Sequence, residues 1–532
     1  MTVVVVGSGL AAVGTVRALL SEGIRPVVLD VGVTLPHQLS VLREAMSQRE
    51  PEQWDVHEWE RISRNESVSG QVVPRKLVMG SDYFYSPYSA QIARDGEFVE
   101  GAPPWSPARG GFSVGWGAAA LPPAISDLAD WPISHDELLE NARLALTGVP
   151  VSEPKDQLTP VFGALRPDDS TVIQLAHGQL QLLTALQSNS SRSEESKTLV
   201  GQSRLLTQAS IGLANSCRNC GLCSSSCVYG SIYSAEQDIN RWEATGEIDY
   251  RSGVEVFKVK EDHHSVVVGY MSAGIRSEIE ADRVFLASGA VNTARILVNS
   301  APCDLPRVSL LRTGGVLQVF ASARHFRIAW PAVNTQTSHI IEMHRGRFSP
   351  YWAHVQLGQP NELVLRRLGV STNNHLRLRQ RLTKFAAGHL VTGMLNLNSF
   401  HGPRYEMQLQ RRDDGLADVE TRQVWDDDGR SVLRKFSREL ARFMRSAGFF
   451  RIPLVSQDSV AAQGYHFGAS FPMQSRPTEI HQTDTLGRPF GWKNIHIVDT
   501  SVLPQIPSTG IGIATMANSY RIARNTLRER NK

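Results

Sequence analysis

Cys217, Cys220, Cys223 and Cys227 fall within eleven residues of a 532-residue chain that holds five cysteines in all. Cys303 is the remaining one. Thiolates at gaps of two, two and three residues can converge on one soft metal centre, because a tight loop turns several sulfurs inward. This is the spacing of an iron–sulfur run, with Val228 where a proline commonly follows. The first three thiols would carry most of a cluster, with Cys227 or Cys303 as the fourth ligand; a three-iron cluster needs only three. Two other readings stand beside it. One is a structural zinc site, although zinc ligands more often come as two separated pairs. The other is thiols without metal, free or joined in disulfides. A cluster would pass electrons singly, so it calls for a redox partner elsewhere in the chain.

A second chemical stretch is Gly464-Tyr465-His466-Phe467-Gly468-Ala469-Ser470-Phe471-Pro472-Met473. A histidine among small residues and before a proline can be presented into a cavity by a structured loop. Its ordinary pKa suits proton abstraction near neutrality. His325, His354, His389 and His401 are further candidates, each more simply read as a polar contact than as a catalyst.

These groups need a scaffold. The run 3–6 is continuously apolar, as in a strand buried on both faces. Gly7-Ser8-Gly9-Leu10-Ala11-Ala12 follows at once, then a helical pattern to about 22, a strand at 26–29 and Asp30. G-x-G-x-x-A on a strand–turn–helix, with an acidic residue about 20 positions on, is a dinucleotide cradle. Gly7 allows the tight turn, Gly9 the approach of a pyrophosphate to the helix N-terminus, and Ala12 the close packing of helix on strand. Asp30 would accept hydrogen bonds from the ribose. Gly110-Gly111-Phe112-Ser113-Val114-Gly115-Trp116-Gly117-Ala118 is dense enough in glycine to cross close to a flat cofactor. The stretch 281–290, ending in Ala287-Ser288-Gly289-Ala290, reads as a strand and glycine turn that return to the first domain, with a helix at 291–298.

The middle is less diagnostic. A helix is expected over 171–187, an exposed or mobile polar stretch over 189–197, and a hairpin or small sheet over 254–268. Strand-like pieces at 316–320, 325–330, 339–343, 363–368, 389–397 and 405–409 suggest a largely antiparallel sheet. The run Asp426-Asp427-Asp428-Gly429 reads as a solvated turn, followed by an amphipathic helix over 432–447.

Lys and Arg total 55 against 52 Asp and Glu, with no basic tract, which excludes nucleic acid as an expected partner. No apolar run reaches membrane-spanning length. MTVVVVGSG lacks the charged region of a signal peptide. A cytoplasmic location is the default expectation, with export or membrane association through a partner still open.

Taken together, these segments resemble the glucose–methanol–choline (GMC) family of flavin oxidoreductases. More narrowly they resemble its branch of iron–sulfur-containing, FAD-dependent sugar and polyol dehydrogenase catalytic subunits. The motifs that carry the resemblance are GSGLAA with Asp30, GGFSVGWGA, the WPIS segment at Trp131, FLASGAVNTARIL, and the terminal IHIVDTSVLPQIPSTGIGIATMANSYRIA. They cover both ends of the chain.

The resemblance implies a discontinuous GMC-like α/β dinucleotide-binding domain (1–165, 206–304 and 456–532) with a cysteine-rich insertion at 215–230. A helical and Ser-rich connection would span 166–205, and an α+β substrate domain built on an antiparallel sheet would span 305–455. It implies FAD held by Gly7, Gly9, Ala12, Asp30, Gly110, Gly111, Ser113, Gly115, Trp116, Gly117, Ala287, Gly289, Asp499 and Ser501. It implies His466 as base and a 4Fe-4S or 3Fe-4S iron–sulfur cluster on Cys217, Cys220, Cys223 and Cys227.

The substrate would be a small-molecule alcohol, a sugar or polyol. Electrons would leave to an external acceptor, a cytochrome or another redox protein, since no C-x-x-C-His haem motif is present. Two other functions remain: an oxygen-using or tailoring flavoenzyme with a structural cysteine site, and an electron-transfer module without alcohol chemistry. The sequence departs from the family pattern in two places. The gap from His466 to Gly468 is short, and Gly510 falls where the family places Asn or His. Thr509, Ser508 or a residue of the middle domain would have to replace that side chain; Asn518 lies too far along, in the last helix.

Overall fold

The computed structural model describes residues 1–63, 76–86, 103–167, 171–193, 196–262, 265–300, 307–324, 334–359, 382, 385–411, 417–453, 457–458 and 465–530. Cys303, His325, Gly464 and the expected strands at 325–330 and 363–368 lie outside the described residues.

Four consecutive valines, Val3–Val6, are buried on both faces and form the central strand of a five-stranded sheet. Val27–Leu29 pairs with it on one side and Arg283–Leu286 on the other, both parallel. Asp249–Arg251 and Ile495–Ile497 complete the sheet, again in parallel. Strands from three distant stretches therefore share one sheet. The crossover helix Leu10–Ser21 packs against the last helix, Gly512–Arg530. Gly14 permits that approach, because a Cβ there would run into Ser519 and the Met516 carbonyl. Of the hairpin or small sheet expected from 254, the structure has the small sheet, three antiparallel strands at Val254–Glu261, Val266–Ser272 and Ile275–Ala281.

The second unit is an antiparallel sheet of eight strands. Gly314–Ser322, Leu390–Leu397, Ala353–Gly358 and His339–Arg345 lie at its centre in that order. Ser196–Gln202 adds to His339–Arg345, so the Ser-rich stretch expected as an exposed connection supplies sheet strands. The helix expected from 171 begins only at His177–Gln187.

Strand alternation sorts the faces of this sheet. Val316, Phe320, Ile341, Met343, Val355 and Leu395 pack with Leu433, Phe436 and Leu440 of helix Asp427–Ser446. Each fully buried Leu or Phe of this kind contributes about 1.5–3 kcal/mol. The acidic run is the start of that helix rather than a turn: Asp426 accepts from the Gly429 amide at 2.8 Å, and Asp427 and Asp428 occupy the first turn, where the helix dipole favours negative charge. The opposite face carries the cross-strand row Gly315, Asn396, His354 and Glu342.

Candidate active site

The expected dinucleotide cradle is built from backbone. Gly7 has φ +98°, and a Cβ on it would stand 2.5 Å from the Ala287 carbonyl oxygen. Only glycine fits that position. Gly9 caps the helix Leu10–Ser21 without a side-chain bond, and nothing lies within 4 Å of where its Cβ would be. The first helical N–H groups thus face open space, which favours an anion.

Asp30 follows the neighbouring strand and accepts from Ser8 Oγ and, at 2.8 Å, from Tyr250 Oη. Burial pushes its pKa up to about 6 despite those hydrogen bonds. Ser8 Oγ also accepts from the Gly110 amide at 2.9 Å, which ties the two glycine loops together. Ser113 Oγ accepts from the Ala235 amide at 2.9 Å.

A cleft of about 1540 Å³, part of it open to solvent, is lined by Gly7, Gly9, Asp30, Gly110, Gly111, Ser113, Ala287, Gly289 and Asp499, and continues to Tyr465, Phe467, Ile511 and Gly512. The remaining sequence-predicted cofactor residues stand outside this lining. Ala12 is fully buried in the core. Gly115 abuts Phe84. Trp116 Nε1 donates to the Tyr233 carbonyl at 2.7 Å, and its ring lies against Gly512. The Gly117 carbonyl accepts from Gln336 at 2.8 Å. Ser501 is buried, its amide bonded to Asp499 Oδ1 at 2.9 Å. Asp499 also accepts from Thr293 Oγ1, and burial raises its pKa.

His466 directly precedes the short strand Phe467–Gly468, which pairs with Arg307–Arg312. Its carbonyl accepts from the Thr313 amide at 3.2 Å. The ring faces Gly510: a Cβ there would sit 3.4 Å from His466 Cε1. Gly510 also has φ +111°, so an Asn or His at this position would be strained. Burial, and then the charges of His354, Lys76 and Arg312, push the His466 pKa down to about 4. The imidazole is therefore unprotonated at neutral pH, the form a base requires.

Lys76 belongs to no sequence motif, and only the fold brings its charge to bear on His466. Burial lowers the Lys76 pKa to about 8, with Cys223 opposing. His389 Nδ1 bonds the Ser322 carbonyl at 2.9 Å and His401 Nε2 bonds Ser349 Oγ at 2.9 Å, so both make polar contacts within the fold.

The cysteine loop is tight: Asn219, Gly221 and Ser226 all have positive φ. Cys217, Cys220, Cys223 and Cys227 line one small pocket and are free thiols. The Ser231 amide points at Cys227 Sγ at 3.3 Å, and Asn334 Nδ2 at Cys217 Sγ at 3.4 Å. Such N–H donors suit thiolates. Burial raises the pKa of Cys217, Cys220 and Cys223, Cys223 to about 12, and neighbouring thiols reinforce the rise. Sulfurs in that setting ionise only if a cation compensates them. Among the described residues, no three His, Cys, Asp or Glu form a group able to hold a metal ion. The ligands of a cluster bind different irons, so they need not converge as closely as the ligands of one ion.

No family model matches the chain, and no curated protein matches it in sequence. Among the described residues, no helix is long and apolar enough to cross a membrane. The structure is similar to the crystal structure of pyridoxine 4-oxidase from Mesorbium loti, with a TM-score of 0.60 over 98% of this chain and 98% of that one, at 15% sequence identity. At that identity the likeness is one of architecture: over nearly its whole length, this chain has the fold of that oxidase.

Proposed function

We propose that the chain oxidises an alcohol group on a sugar, polyol or related small molecule, with FAD as cofactor. One observation carries this reading. The cleft lined by the glycine cradle is also lined by Tyr465 and Phe467, and between these two in sequence stands His466, buried behind the lining and unprotonated at neutral pH. Bound FAD would supply hydride acceptance from the substrate carbon. Gly7 and Gly9 would admit its pyrophosphate, Asp30 its ribose, and the 110–113 loop its flavin side. His466 takes the hydroxyl proton as the carbonyl forms. Cys217, Cys220, Cys223 and Cys227 would hold a 4Fe-4S or 3Fe-4S cluster, which supplies one-electron transfer toward an external redox protein such as a cytochrome. The resemblance to GMC dehydrogenases and the shared fold support the reading.

A second reading takes oxygen as the electron acceptor and the cysteines as structural; the name of the similar structure, an oxidase, favours it. Peroxide formation, compared with turnover of an artificial acceptor, separates the two.

The test is His466→Ala. It should retain FAD and slow alcohol-driven flavin reduction about 10²-fold or more. An unchanged rate would remove His466 as the base.

A further inference from the structure

A second histidine, near enough to His466 for its charge to act on that ring, has an unmet hydrogen bond. His354 is 2% exposed and its cross-strand neighbour Glu342 is fully buried. Nδ1 of His354 is bonded to Glu342 Oε1. Nε2 is buried without a partner among the described residues. A buried imidazole nitrogen left in that state is costly, and natural folds rarely keep one without a use.

Its position is informative. His354 lies on the sheet face opposite helix Asp427–Ser446, in line with Glu342 and Asn396. The turn that carries Gly510 is clamped to the same strand region. Ser508 Oγ donates to the Trp352 carbonyl at 2.8 Å, and the Ile506 amide donates to Ser399 Oγ at 2.9 Å. The His466 ring rests against Gly510. The charge of His354 is felt at that ring.

The protonation of the pair follows from burial. One proton shared across His354 and Glu342 would leave a net buried negative charge; two protons leave the pair neutral overall. With two, Nε2 carries N–H wherever the proton between Nδ1 and Oε1 rests. Nε2 is then a donor with no acceptor among the described residues.

We propose that His354 is a second catalytic histidine, whose Nε2–H donates a hydrogen bond to the reacting oxygen of the substrate in the space left by Gly510, with Glu342 fixing its orientation. The assignment rests on the alcohol-oxidation reading. Bound FAD would supply the acceptor for the hydride and both its electrons, His466 would take the hydroxyl proton, and the C–O bond would become C=O. Nε2–H stabilises the negative charge that develops on oxygen and keeps its own proton. A backbone turn with glycine at 510 and a donor from the sheet thus perform jointly what one side chain on that turn would do.

The experiment uses the full FAD-loaded chain and the alcohol that best bleaches the wild-type flavin without oxygen. Replacing only His354 by an apolar residue strands Glu342, so the primary variant is the double Glu342→Leu/His354→Leu, which removes both buried polar partners together. Flavin reduction should slow about 10²-fold or more, and the carbonyl product, titrated against the oxidised flavin spectrum, should bind more weakly. His354→Gln keeps an N–H donor and should fall between the double variant and wild type. Reduction within threefold of wild type in the double variant, with unchanged product binding, overturns the assignment and leaves alcohol oxidation standing. If no alcohol bleaches the wild-type flavin, the alcohol reading itself fails and the assignment falls with it.

Discussion

Gly7 and Gly9 are two residues apart and should fail for different reasons when given a methyl group. Gly9 has φ −72°, ordinary for any residue, and no protein atom lies within 4 Å of the new Cβ. Gly9→Ala should therefore cost only the loss of a tolerated N-cap, about 1 kcal/mol. With roughly 2.1 cal/mol/K of unfolding entropy per residue, a chain of this length has about 1.1 kcal/mol/K, so the flavin-free Tm should fall by only about 1 °C. The methyl group would occupy the space where a pyrophosphate meets the helix start. Losing one charge-assisted hydrogen bond costs about 1.5–3 kcal/mol, which weakens FAD about 10- to 100-fold. Gly7→Ala instead meets a positive φ, worth about 1–2 kcal/mol, and its Cβ would stand 2.5 Å from the Ala287 carbonyl oxygen, which is backbone and cannot swing aside. Stability and FAD affinity should then fall together. Thermal melts of flavin-free protein and fluorescence titration with FAD read both quantities. If Gly9→Ala binds FAD within twofold of wild type, or melts as early as Gly7→Ala, the cradle has been placed wrongly.

Two further predictions follow from buried titratable groups. Burial raises the Asp30 pKa from 3.8 to about 6, so the flavin-free native state binds this proton more tightly than the unfolded chain and loses stability as pH rises through roughly 4 to 6. Asp30→Asn should change the flavin-free Tm little at pH 4 and raise it at pH 7, while weakening FAD; a pH-independent difference would rule out the buried carboxyl as the source. For the thiols, anaerobically purified wild type should contain iron and acid-labile sulfide, and Cys220→Ser should lower both along with the visible absorbance beyond that of flavin. Wild-type protein free of iron and sulfide would end the cluster proposal.

What the sequence disclosed depended on how local the cause was. The cradle is legible because Gly7, Gly9 and Asp30 fall in one short strand–turn–helix–strand pattern, although the contacts that fix Gly7 and Asp30, with Ala287 and Tyr250, are distant in sequence. The helix at Asp427–Ser446 is legible from its apolar spacing, but its capping role for Asp426 was lost because three adjacent acids look equally like a solvated turn. The strand Ser196–Gln202 was missed because its pairing partner, His339–Arg345, lies more than a hundred residues away, while its own composition is polar. The same distance hides the surroundings of His466. Nothing near His354 in sequence announces Glu342, and nothing near Lys76 announces His466; sheet register and loop packing bring them together. Gly510 was conspicuous as a missing side chain, and the structure adds a steric reason for its being glycine: φ is positive and the His466 ring is close.

The most direct measurement of the central claim is an anaerobic spectrum of the purified, FAD-reconstituted chain during titration with a panel of sugars and polyols. The account predicts that at least one alcohol bleaches the flavin band completely, at a rate that collapses in His466→Ala. A chain that binds FAD tightly, is reduced by dithionite, and is bleached by no alcohol in the panel would contradict it.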